Sequence, residues 1–347
     1  MNEAYNNGKY TIAEKQQMFP HLFNSLSVVI PVLSSTFASV GRFLKHAGNM
    51  SLGMLIIDES GQAAPQSALG AIYRTRRAVV VGDPLQVEPV VTIPKVLIDI
   101  LADSTCVADE YKVIENSAQT FADNINEFNG MIGKRQVGCP LVVHRRCIEP
   151  MFSISNMISY DNRMFNKTNK KEEYLKPENP FLIKKSGWIN VEGAENGGKD
   201  HFVKKQAERV CQLLENALHI YTNLYETDDK IFIITPFRTV AESMRKFIIS
   251  YFSAKGYDKE ILLKWTKNCV GTVHTFQGKD ANEVLFVLGC SDKSVGAMNW
   301  VVKKANILNV ACTRAKYRIA FIGNINDWKN RSCFREFIPN LIDIINV

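Results

Sequence analysis

The sequence contains no apolar run approaching the ~18 residues a membrane-crossing helix needs, and no basic leader followed by an apolar core. We therefore expect no membrane insertion and a cytoplasmic compartment. None of the eight cysteines forms a C-x-x-C pair, which gives a structural zinc site little support. His144 and Cys147 have ligand-like spacing, but no second pair follows to close a tetrahedron. Cysteines inside apolar runs, such as Cys269 and Cys312, read as reduced thiols. There is no repeat of fixed period and no strong excess of one charge. The net charge of +7, from 42 Lys+Arg against 35 Asp+Glu, permits a nucleic-acid partner without arguing for one.

What is present reads as a soluble α/β chain. With 347 residues, two cores are a better expectation than one. Apolar runs at Ser27–Leu33, Met54–Ile57, Ala78–Val81, Trp188–Val191, Ile231–Thr235, Cys269–Val273, Val284–Leu288 and Arg318–Ile322 are continuous rather than alternating. That pattern suits strands of a parallel sheet buried on both faces. Amphipathic stretches between them, among them Phe202–Leu218, Val240–Phe252 and Lys303–Thr313, suit covering helices. A polar helical segment at 95–135 places a division after residue 134. A charged run, Asn166–Glu173, opens a surface excursion near 166–186.

Two segments carry chemistry at strand ends. Met54–Ile57 runs directly into Asp58-Glu59-Ser60-Gly61-Gln62-Ala63, and the carboxyl ends of buried strands are where α/β sheets bind ligands. One carboxylate, Asp58, can hold Mg²⁺, a hard cation that takes oxygen ligands. The other, Glu59, can orient or deprotonate a water. The next strand ends in Gly82-Asp83-Pro84-Leu85-Gln86, a tight turn that would set Asp83 and Gln86 on the same edge. Each segment alone is equally a solvated strand end or a simple turn; in sequence, about twenty residues apart, they become specific.

Together they resemble motifs II and III of superfamily 1 helicases. The branch is the one containing the helicase of nonsense-mediated mRNA decay and the nuclease-helicase of Okazaki-fragment processing. His144-Arg145-Arg146-Cys147 resembles that family's arginine motif, and Thr235-Pro236-Phe237 its motif IV. Gly271-Thr272-Val273-His274-Thr275-Phe276-Gln277-Gly278-Lys279-Asp280 resembles motif V, and Asn309-Val310-Ala311-Cys312-Thr313-Arg314-Ala315-Lys316 resembles motif VI. The match runs over roughly residues 27–325, in the family's order.

The resemblance implies two RecA-like parallel-sheet domains, with motifs Ia to III in residues 1–134 and the arginine motif and motifs IV to VI in 135–347. It implies ATP and Mg²⁺ as cofactors and single-stranded DNA or RNA as partner. Arg146 and Arg314 would stabilise the γ-phosphate, worth about 10³–10⁵ in rate for such fingers. Arg314, near the end of an apolar helix, could reach a cleft and offer a two-pronged fork to phosphate oxygens. Gly82, Asp83, Gln86 and Gly278 would line the nucleotide. Asp280 would face its sugar, standing where the family more often has the longer Glu. Ser35, Thr36 and Phe37, in a hydroxyl-rich turn, would grip a single strand with Pro236, His274 and Thr275. Phe37 can instead pack, His274 can instead satisfy local hydrogen bonds, and either arginine can pair with a surface carboxylate.

One element is missing. The family's motor needs G-x-x-x-x-G-K-[ST] ahead of motif II, a loop whose amides cradle phosphates and whose lysine reaches the β/γ oxygens. Gly8-Lys9 fails, since Glu3 stands at the first glycine and Tyr10 follows; Gly133-Lys134, Gly198-Lys199 and Gly278-Lys279 come too late. The first domain is thus expected to be incomplete, leaving the Ala78–Val81 strand with an unpaired edge. Three readings follow: a carboxy-terminal portion of a longer ATP-dependent helicase, inactive alone; a chain completed by an upstream polypeptide; or a non-catalytic module that binds single-stranded nucleic acid.

Overall fold

The computed structural model describes residues 8–112, 114, 116–132, 135–168, 180–195, 197, 200–220, 227, 230–303 and 305–345. Gly133-Lys134, Gly198-Lys199 and most of the charged run that begins at Asn166 lie outside them. The chain divides into two compact units: Met1–Met131 with Gln136–Cys139, and Ile132–Arg135 with Pro140–Val347.

Unit 1 opens on helix α1 (Ile12–Val29). Thr11 starts it with a capping box: its hydroxyl accepts from Glu14 N, and Glu14 Oε2 accepts from Thr11 N at 2.7 Å. The expected strand Ser27–Leu33 is not one. Its first residues complete α1, where the Ser27 hydroxyl donates to the Phe23 carbonyl at 2.8 Å, and the rest is extended chain. A β-branched run becomes a strand only with a neighbour to pair. None pairs here among the described residues, and Val28, Val29 and Val32 are exposed.

After α2 (Phe37–Phe43) comes a parallel pair, β1 (Leu52–Ile57) and β2 (Thr75–Val80), joined through α3 (Pro65–Tyr73). Burial on both faces does not hold for this pair. Met54 and Ile56 are 55% and 65% exposed; among the described residues no further strand joins β1 and β2. Its small core joins Ile57, Ala68 and Ala118. The segment read as helical resolves into α4 (Lys95–Ser104) and α5 (Ala118–Ile125), followed by two short paired strands, β3 (Gly130–Ile132) and β4 (Arg135–Val137).

Unit 2 fits the continuous-run reading well. After β5 (Val143–His144), α6 (Met151–Ser159) and β6 (Phe165–Asn166), the five expected strands form one parallel sheet. They are β7 (Gly187–Asn190), β8 (Ile231–Thr235), β9 (Val270–Thr272), β10 (Ala281–Val287) and β11 (Ala315–Gly323), in the order β7-β11-β10-β8-β9. Every residue of β8 is buried. The covering helices α7 (Lys204–Ile220), α8 (Arg238–Ser253) and α9 (Lys259–Cys269) bring Leu214, Ile248, Phe252 and Trp265 into its core, and α10 (Val295–Lys303) and α11 (Asn306–Arg314) lead into β11. Two short helices, α12 (Ile325–Trp328) and α13 (Phe334–Leu341), close the unit. Among the described residues no helix is long and apolar enough to cross a membrane.

Glu283 sets an acid inside this unit. Its carboxylate is buried on β10, where it accepts from the N–H groups of Leu182 (2.6 Å) and Ile183 (2.9 Å). Burial pushes its pKa up to about 7, against the pull of those two amides and of Arg318. An acid whose folded pKa is raised favours the folded state below its unfolded pKa and loses that advantage as pH rises through the folded value. All four tryptophans lie in unit 2, so their fluorescence follows its unfolding. Relative to Glu283→Gln, the wild-type unfolding free energy should fall by up to about 3 kcal/mol between pH 4.5 and 8, at about 1.4 kcal/mol per pKa unit. A difference that stays flat or rises with pH would contradict the assignment.

Candidate functional site

In unit 1 the two acidic segments meet through small residues. Ser60 N donates to the Val81 carbonyl at 2.9 Å, and Val81 N donates to the Ile57 carbonyl at 2.8 Å, so the β1–β2 ladder continues into the turns. A Cβ on Gly61 would sit 2.5 Å from the Asp83 carbonyl oxygen, and one on Gly82 would sit 2.6 Å from Ser60 Oγ. Only glycine allows the two turns to approach this closely. Glu59, at φ 54°, takes the left-handed conformation that turns the chain after the strand. Its Oε2 accepts from Gln62 Nε2 at 2.9 Å.

Asp58 is exposed, and its Oδ1 accepts the Glu59 N–H at 2.9 Å. That leaves Oδ2 as a hard oxygen donor at the strand end, which suits Mg²⁺. Asp83 is half-buried and already engaged, its Oδ1 by Leu85 N (2.9 Å) and its Oδ2 by Gln86 Nε2 (2.9 Å). Asp58, Glu59, Gly82, Asp83 and Gln86 therefore share one edge of the β1–β2 pair. Ser35 and Thr36 precede α2, and Ser35 Oγ donates to the Thr36 carbonyl. Phe37, partly buried, packs against the Ile57–Ala68–Ala118 core.

A buried polar chain stands behind the motif II turn. Gln119 Oε1 lies 2.5 Å from Ser60 Oγ, Gln119 Nε2 donates to Asp123 Oδ1 at 2.8 Å, and that oxygen also accepts Gly138 N at 3.0 Å. Ser60, Gln119 and Asp123 are all buried.

In unit 2 the candidates fall on two edges of the sheet. Thr235-Pro236-Phe237 leaves the carboxyl end of β8, with Pro236 buried. His274 and Thr275 follow the adjacent β9 and are exposed. The motif V chain then crosses to the start of β10. Phe276 anchors the crossing, stacking on Phe232 at 4.3 Å between ring centroids. Gly278 turns it at φ +73°. Gln277 Nε2 is buried without a hydrogen-bond partner.

At the amino ends of β10 and β11, Arg314 is fully buried. Its Nη1 donates to the carbonyls of Phe276 (3.3 Å) and Lys279 (3.0 Å), and its Nη2 to Thr313 Oγ1 (3.3 Å). Next to it, Lys316 Nζ pairs with Asp280 Oδ1 at 2.7 Å. Motif VI thus holds motif V at two points. Ile148 N donates to the Lys316 carbonyl at 3.1 Å, which brings the segment carrying Arg146 to the same edge. Arg314 does not extend into open space here: its guanidinium faces the motif V carbonyls.

Two AAA-domain models match the sequence, over residues 2–93 and 127–326; the second alone spans more than half of the chain. The chain belongs to the AAA-domain family. Within it, the AAA-domain chain is a member of the superfamily 1 helicases, in the branch that includes the nonsense-mediated-decay helicase. An uncharacterized ATP-dependent helicase of Methanocaldococcus jannaschii is 24% identical, over 95% of this chain and 44% of its own length. The probable helicase senataxin of Mus musculus is 22% identical, over 91% of this chain and 11% of its own. The DNA replication ATP-dependent helicase/nuclease of Xenopus laevis is 22% identical, over 82% and 26%. The chain spans less than half the length of these curated relatives.

Sequence reasoning missed residues that support the motif segments within each unit. Gln119 and Asp123 sit at an i, i+4 spacing on a helix, a common pattern with no distinguishing mark, and Lys316 is one of many lysines. Replacing Gln119 with Leu removes both of its bonds and leaves Ser60 and Asp123 buried with fewer partners, a loss of about 1–3 kcal/mol. Hydrogen exchange over residues 58–63 should accelerate roughly 5- to 100-fold in Gln119→Leu, while the tryptophan-monitored unfolding of unit 2 stays unchanged. Unaltered exchange over 58–63 would show that the polar chain does not support the turn.

Proposed function

We propose that this chain is the catalytic-motif portion of an ATP-dependent, nucleic-acid-stimulated helicase. The observation that carries the reading is the edge of unit 1, where Asp58, Glu59, Gly82, Asp83 and Gln86 converge. Asp58 holds the Mg²⁺ of a bound nucleotide, and the metal supplies positive charge that offsets the phosphate oxygens. Glu59 orients or deprotonates the attacking water, and Gln86 hydrogen-bonds near the terminal phosphate.

Within unit 2, Arg146 and Arg314 are the groups suited to stabilising phosphate charge, a role that requires the Arg314 guanidinium to exchange its Phe276 and Lys279 carbonyl partners for phosphate oxygens. Gly278 gives the backbone close access to the nucleotide. Asp280 serves its sugar only by releasing Lys316. Exposed His274 and Thr275 in unit 2 contact the backbone of single-stranded DNA or RNA, and Ser35 and Thr36 offer the same kind of contact in unit 1.

The sequence has no G-x-x-x-x-G-K-[ST] segment ahead of motif II, so the phosphate cradle comes from another polypeptide segment. The exposed β1–β2 faces support such a partner, since Met54, Ile56 and Val79 present apolar surface beside a ladder of two strands. The second reading, a module that binds single strands without hydrolysis, rests on the same missing segment.

The deciding test is ATP hydrolysis by the purified chain with and without single-stranded nucleic acid, beside Glu59→Gln. The expected result is little or no turnover from the chain alone, and stimulated turnover once a polypeptide carrying the phosphate loop is added, falling at least about 100-fold in Glu59→Gln. Turnover that the substitution leaves intact would contradict the assignment of Glu59.

A further inference from the structure

Three side chains outside the helicase motifs meet beside the carboxyl end of β10. Glu195 lies in the loop after β7, His201 shortly before α7, and Cys290 just beyond β10. The carboxylate, imidazole and thiol ligand atoms all lie within 4.8 Å of one another, and Glu195 Oε2 is 3.4 Å from His201 Nδ1. The Glu195 side chain is 7% exposed and Cys290 is 2% exposed.

The backbone enforces this meeting. Glu195 forms an antiparallel bridge with Val203, and Cys290 N donates to the His201 carbonyl at 2.9 Å. Gly289, at φ +62°, lets that carbonyl come so close that a Cβ would sit 2.6 Å from its oxygen. The sequence alone offered no zinc pair, because these donors come from positions separated by up to 95 residues (290 − 195).

We propose that Glu195, His201 and Cys290 form a zinc site, with water or the Ser294 hydroxyl in the fourth position. Oxygen, nitrogen and sulfur are the donor types that tetrahedral zinc accepts, at about 2.0–2.3 Å. Bonds of that length put neighbouring donors about 3.3–3.6 Å apart, and the Glu195–His201 separation already matches. Ser294 Oγ lies 3.1 Å from His201 Nδ1, close enough to coordinate or to hold a bound water.

The competing arrangement is a metal-free cluster. In it the Ser291 N–H (2.8 Å) and the His201 ring serve the Glu195 carboxylate, and the thiol stays protonated. Burial, helped by the Glu195 charge, pushes the Cys290 thiol up to about 12. Coordination replaces the sulfur–hydrogen bond with a sulfur–zinc bond and releases that proton to solvent.

The site lies next to motif IV. The His201 and Phe237 rings are 4.8 Å apart, Phe237 lies 5.9 Å from Trp300, and Thr239 Oγ1 donates to the Asp200 carbonyl at 2.9 Å. A bound ion would fasten the loop ending at His201 to the exit of β10 and so fix the aromatic contact under motif IV.

Cobalt(II) tests this on the whole chain, with no need for hydrolytic activity. After chelator treatment, one equivalent of Co²⁺ should bind with Kd below about 1 µM. It should show intense tetrahedral visible bands and a thiolate-to-cobalt charge-transfer band, both lost when Zn²⁺ is added. Cys290→Ser should abolish the charge-transfer band, and His201→Ala should weaken binding at least tenfold. Cys139→Ser, at an exposed thiol, should change neither. The wild-type spectrum decides even where a variant fails to fold: octahedral bands without charge transfer, or a charge-transfer band that survives Cys290→Ser, would overturn the site.

Discussion

Ser60 is fully buried, and its backbone and side chain both reach the end of β2, the N–H at 2.9 Å and the hydroxyl at 2.8 Å from the Val81 carbonyl. A parallel pair leaves its turns at one edge, where each buried polar group must find a partner or cost about 1–3 kcal/mol. Ser60 meets that demand for the motif II turn, Gln119 and Asp123 extend it to Gly138, and Gly61 and Gly82 remove the side chains that would hold the turns apart. The exposed acids Asp58 and Glu59 are placed by Ser60, Gln119 and Asp123, which take no part in the proposed chemistry themselves. Rigid support behind an accessible donor is what positioning a metal and a water requires.

Unit 2 solves a similar problem with charge. The chain between β9 and β10 has to cross from one edge of the sheet to the other. Phe276 pins its middle under β8, and Arg314 collects its carbonyls. A buried guanidinium with carbonyl partners is stable where it lies, so its proposed service to a phosphate implies an exchange of partners. The Lys316–Asp280 pair poses the same condition for the sugar contact. Motifs V and VI behave as one connected piece, and ligand-driven rearrangement of either would be felt by the other.

The legible part of this molecule was the part governed by continuous apolar runs. The five strands of unit 2 appear where their runs lie, because a strand buried on both faces has little freedom to be polar. Ser27–Leu33 carries the same signal and is not a strand, since apolar β-branched content does not supply a pairing neighbour. Met54 and Ile56 show the same limit, being apolar yet exposed. The segments carrying the acids and arginines were legible through motif spacing, and the fold sets Asp58, Glu59, Asp83 and Gln86 at one edge of the β1–β2 pair; their roles belong to the proposal. Gln119, Asp123 and Lys316 were not legible, because a supporting hydrogen bond depends on which distant residue the fold brings close. Pro236 is buried and Phe37 packs partly against the small core of unit 1, positions that motif spacing alone did not reveal.

The proposed function asks that the exposed His274 and Thr275 of motif V contact a nucleic-acid strand. Fluorescence anisotropy of a labelled single-stranded oligonucleotide against the whole chain, over a series of salt concentrations, tests it most directly. The account predicts saturable binding whose affinity falls steeply as salt rises, weakened at least about tenfold, or roughly 1.4 kcal/mol, when His274 and Thr275 are both replaced by Ala. Absence of binding at low salt, or binding that the double replacement leaves unchanged, would contradict it.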